Sequence, residues 1–80
     1  MKELVIQEFE DSVNAQVNGQ GFIVLSDEVL NEVLPYYPVD TIEALTERLC
    51  GKFDTQRHRE QDFYVLARGH HKVTQALNSL

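Results

Sequence analysis

Glycines and prolines cut this chain into short pieces. Asn18-Gly19-Gln20-Gly21, Pro35-Tyr36-Tyr37-Pro38 and Gly51 each interrupt regular backbone. Glycine favours left-handed turns, and proline lacks a backbone donor. No segment between these breaks can bury a core alone, so the fold must pack several short elements together. The 80 residues are read as one domain, burying only roughly 60–65% of the unfolded surface.

Segment 2–18 has a helical stripe of Val5, Ile6, Phe9, Val13 and Val17, with Glu3, Glu10, Asp11 and Asn14 opposite. Gly19 is the expected left-handed cap. The competing reading is a β-hairpin at 12–25, because Val13, Ala15 and Val17 alternate and Asn18-Gly19 is a hairpin signal. The longer periodicity favours the helix. Phe22-Ile23-Val24-Leu25 is a short apolar run that enters the core in either case.

Ser26 is a suitable N-cap for a helix over 27–34, with Asp27 and Glu28 at its positive end. Pro35 and Pro38 stop it. Asp40 and Glu43 have capping-box spacing, which predicts a helix carrying Ile42, Leu45 and Leu49 and ending at Gly51. Phe53 is expected to plug the core. A last helix over 55–78 places Phe63, Leu66, His70, Val73 and Leu77 on one side, with a kink or break at Gly69. These elements predict an all-α bundle of three to four short helices. The alternative is an α+β fold with an N-terminal β-hairpin at 12–25.

Charge is unevenly distributed. Residues 1–47 carry ten acidic side chains against Lys2 alone, a net of −9. Residues 48–80 carry six basic side chains against three acidic ones, a net of +3. Fields of one sign steer encounters, so this asymmetry bears on partners. The acidic total argues against general nucleic-acid binding, which needs concentrated Lys and Arg at phosphates.

On a continuous last helix, Arg57, Gln61, Tyr64, Arg68, Lys72 and Gln75 share one face, with Arg59 nearby. This face is a candidate dock for an anionic partner, although exposed helix faces are polar whether or not they bind. A helix-turn-helix over 41–68 is a weaker variant, because Glu47 and Lys52 fall where small and apolar residues normally pack. Glu3, Glu10, Asp11, Asp27, Glu28 and Glu32 form the opposite candidate, a surface complementary to a basic partner. Tyr36 and Tyr37 are candidate interface anchors in a proline-stiffened loop; the plainer reading lays their rings over the core edge.

Asp54, His58 and Asp62 are spaced four apart but lack the ligand set of a structural metal site. His70 is expected to be partly buried and His71 exposed. Cys50 is the single cysteine, so no intramolecular disulfide forms, and a structural thiol is the expected role. No cofactor motif is present. No apolar run approaches the roughly 18 residues of a membrane span, and no signal-peptide core is evident.

The resulting expectation is a small, acidic, cytoplasmic, non-catalytic binding protein acting as an adaptor, regulator or inhibitor, of the kind found in bacteria and phages. Its expected partner is another protein. The alternative is a nucleic-acid-binding transcriptional regulator using the basic face of the C-terminal helix. A homodimer is compatible with either.

Overall fold

The computed structural model describes residues 1–80 and is an α+β fold, not an all-α bundle. Four α-helices are α1 (Lys2–Gln20), α2 (Asp27–Val33), α3 (Ile42–Phe53) and α4 (His70–Asn78). Three strands are β1 (Phe22–Ser26), β2 (Gln56–Glu60) and β3 (Phe63–Ala67), and a short 3-10 turn spans Leu34–Tyr36. The sheet order is β1-β3-β2, with both pairings antiparallel.

The N-terminal helix forms as its stripe predicts, and no hairpin occupies 12–25. Val13 and Val17 are buried, with Ile6 and Phe9 packed against the core. The cap is Gly21 rather than Gly19. Gly21 adopts a left-handed conformation (φ 92°) and its N–H donates to the Val17 carbonyl at 2.9 Å. Helix α2 starts where Ser26 Oγ accepts from the Val29 N–H. In α3 the cap is Thr41, not Asp40: Thr41 Oγ1 accepts from the Ala44 N–H at 3.1 Å. The helix runs past Gly51 and stops at Asp54, which takes the left-handed conformation itself (φ 56°).

The predicted helix over 55–78 is where the all-α reading fails. Its first part is a β-hairpin joined by a two-residue turn at Gln61-Asp62, with Gln61 at φ 47°. The physical reason lies in Phe63-Tyr64-Val65-Leu66-Ala67. Five consecutive apolar residues have no polar face to give to water as a helix turn would require. As a central strand they bury alternately on both faces. Tyr64 and Leu66 join the large core with Ile23, Leu25, Leu30, Tyr37, Leu45 and Leu49. Val65 and Ala67, of opposite parity, lie on the other face, which α4 covers with buried Val73 and Ala76. The break at Gly69 is real: its φ of 86° reverses the chain between β3 and α4. No helix is long and apolar enough to cross a membrane.

Candidate functional site

The hairpin disperses the basic face expected of a C-terminal helix. Arg57 and Arg59 stand on β2, Tyr64 on β3, Arg68 just after it and Lys72 on α4. The helix-turn-helix over 41–68 is likewise absent, because β2 and β3 replace its second helix.

The arginines are committed within the chain. Arg57 Nη1 donates to the Glu43 carbonyl at 2.6 Å and to Thr46 Oγ1 at 2.8 Å, tying β2 to α3. Arg59 grips Asp27 with both Nη atoms, one bond measuring 2.8 Å, and lies 4.7 Å over the Tyr64 ring. This bond to Arg59 holds the Asp27 carboxyl below its ordinary value. Arg68 donates to the Phe53 carbonyl and to Asn18 Oδ1, the latter at 3.0 Å, and so joins the ends of α1 and α3. A guanidinium already bonded on its donor edge offers little to a phosphate or a carboxylate.

The two tyrosines of the proline-stiffened loop part company. Tyr37 is buried in the core, while Tyr36 is partly exposed. The Tyr37 hydroxyl donates to Glu10 Oε2 at 2.8 Å, and its ring meets Phe9 edge-on at 6.5 Å. Burial, reinforced by the Glu10 carboxylate, pushes the Tyr37 hydroxyl far above its ordinary value.

Periodicity puts Glu10 on the solvent face, yet it is buried. At 100° per residue it lies only roughly 60° from Val13, on the flank of the stripe. Lys52 reaches its Oε1, so the carboxylate is paired on both oxygens. Glu10 and Lys52 of this trio line a groove of about 420 Å³ between α1 and the end of α3. Ile6 and Phe53 contribute its apolar lining, Glu3 and Asp11 its acidic rim, and Gln7 and Asn14 its remaining polar wall. Acidic residues recurring along one flank of α1 are the sequence signal for this groove; its facing wall depends on where α3 ends.

Among the remaining candidates, Cys50 is half-buried, and burial pushes its thiol up, so it is a protonated thiol at neutral pH. His70 is exposed on α4 like His71, contrary to the expected partial burial. Asp54, His58 and Asp62 are distributed over a helix cap, a strand and a turn, and no group of three ligand side chains converges. No protein-family model matches this chain, and no curated protein or solved structure shows significant similarity to it.

Proposed function

We propose that this is a non-catalytic binding protein whose partner is another protein bearing a basic surface. The contact is the α1–α3 groove with its rim of Glu3 and Asp11. The observation that carries this reading is the unequal fate of the charges. Arg57, Arg59 and Arg68 are exposed but hydrogen-bonded to acceptors of their own chain, whereas Glu3 and Asp11 stand exposed beside an apolar lining. An acidic rim steers a basic partner, and Ile6 and Phe53 offer apolar surface once it docks. A role as adaptor, regulator or inhibitor by occlusion follows from such a surface without any cofactor.

The test is affinity capture with the wild-type chain and a Glu3→Lys/Asp11→Lys variant, washed at low and at moderate salt. Both substitutions lie on exposed positions, so the fold should persist by circular dichroism. The expected outcome is one stoichiometric protein held by the wild type at moderate salt and lost by the variant. Retention of the same protein by the variant would overturn the groove as the contact. Nucleic acid held only at low salt, with no protein, would overturn protein binding itself.

A further inference from the structure

The sheet has two outer edges, and they are built differently. The β2 edge reads Gln-Arg-His-Arg-Glu, with both arginines tied to neighbouring helices. Charged side chains of this kind block edge-to-edge pairing. The β1 edge reads Phe-Ile-Val-Leu-Ser, with no charge and no proline. Its backbone parity is fixed. The Gly21 carbonyl accepts from the Arg68 N–H at 3.2 Å, and the Asp27 N–H donates to the Asp62 carbonyl at 2.9 Å, so odd-numbered residues face β3. Phe22, Val24 and Ser26 therefore direct their backbone groups away from the sheet, where no strand pairs with them. The Phe22 carbonyl already accepts from Gln20 Nε2 at 3.0 Å, and the Ser26 carbonyl, at the N-cap of α2, serves that helix; the Phe22, Val24 and Ser26 N–H groups and the Val24 carbonyl are the groups left to pair. The Val24 side chain is 37% exposed.

We infer that the β1 edge pairs antiparallel with β1 of a second copy, about a two-fold axis at Val24, to make a continuous six-stranded sheet. The occupant is a second copy because the edge is self-complementary. Val24 opposes its own copy and exchanges both backbone bonds with it, and Phe22 opposes Ser26. Charge agrees with this register. Lys72 lies against Gly21 at one end of β1 and has no ionic partner in the chain; Glu28 is exposed just past the other end and has none either. The antiparallel register brings Lys72 of one copy to the Glu28 end of its mate. The α1 flank turned away from α3 at this level, Ser12, Gln16 and Gly19, carries no charge to repel its counterpart. This interface uses the opposite side of α1 from the groove, so the two proposals stand or fall separately.

Sedimentation equilibrium over a concentration series tests the pairing. The wild type should show a monomer–dimer equilibrium. Val24→Pro removes one outward N–H without disturbing the β3 ladder, because an edge strand tolerates proline on its outer side. It should weaken dimerisation at least about tenfold while keeping the monomer's circular dichroism. Lys72→Glu and Glu28→Lys should each weaken the dimer, and together restore it. A wild type that stays monomeric up to about 1 mM would overturn the proposal, as would a Val24→Pro chain, folded by circular dichroism, that dimerises like the wild type. Should Val24→Pro lose the monomer fold, the charge exchange decides: single variants that dimerise as the wild type does would overturn it.

Discussion

Tyr37, Glu10 and Lys52 form a polar contact built around a buried carboxylate. Glu10 is nine-tenths buried, and its two oxygens are taken by a hydroxyl and an ammonium. Tyr37→Phe removes one of these donors and should cost about 1–3 kcal/mol at neutral pH, measured by urea unfolding. The same hydroxyl sets a pH dependence. An unfolded chain loses the tyrosine proton near about pH 10, whereas the folded chain keeps it. The unfolded state then binds fewer protons, so this contribution is complete below about pH 10 and is lost as pH rises beyond it. The difference between wild type and Tyr37→Phe should therefore narrow in alkali. Two further positions are improvable. Asp54 caps α3 with a left-handed backbone that glycine adopts freely, so Asp54→Gly should stabilise by about 1 kcal/mol. Buried Thr55 Oγ1 has no oxygen or nitrogen partner and only the Cys50 thiol, a weak one, beside it, so Thr55→Val should raise the unfolding midpoint by a similar increment.

At the level of elements, the chain is legible where periodicity and caps agree and illegible where pairing is long-range. Helices α1, α2 and α3 follow from their apolar spacing, the Ser26 cap and Pro35, with errors confined to the ends: Thr41 for Asp40, Gly21 for Gly19 and Asp54 for Gly51. The β2–β3 hairpin was hidden because Phe63, Leu66, His70, Val73 and Leu77 happen to keep helical spacing across a strand and a separate helix. Its turn offered no Asn-Gly signal either; Gln61 holds the positive φ instead. The partner of β1 is more than 35 residues away in sequence, a contact that no local pattern reports. The single helical face that was to align Arg57, Arg59, Arg68 and Lys72 does not form, since these residues stand on β2, after β3 and on α4. Arg68 shows what such a residue does instead. It fastens the end of α1 to the end of α3, so Arg68→Ala should cost about 1–2 kcal/mol. Arg68→Lys should recover little, because one ammonium lacks the planar fork that reaches both acceptors. Full recovery by lysine in urea unfolding would show that charge, not geometry, matters there.

Considered whole, the molecule is asymmetric about its sheet. One face packs against α1, α2 and α3 around ten buried apolar residues; the other is closed by α4 alone, through Val73 and Ala76 on Val65 and Ala67. Helix α4 has nine residues and begins at Gly69 with no side-chain cap, so little but this small contact holds it. A chain of this size has a total stability of roughly 4–12 kcal/mol. Leu45→Ala, in the large core, should cost about 2–5 kcal/mol and bring the protein close to unfolding. Val73→Ala removes less and touches only the thin layer, so its cost should be about 1–2 kcal/mol. The two faces should also open separately. Native-state hydrogen exchange is expected to show α4 amides exchanging through a low-energy local opening, while those of α1 and β3 exchange only with global unfolding. Val73→Ala should accelerate the first class by much more than the second. Equal acceleration in both classes would mean that α4 and the large core unfold as one unit.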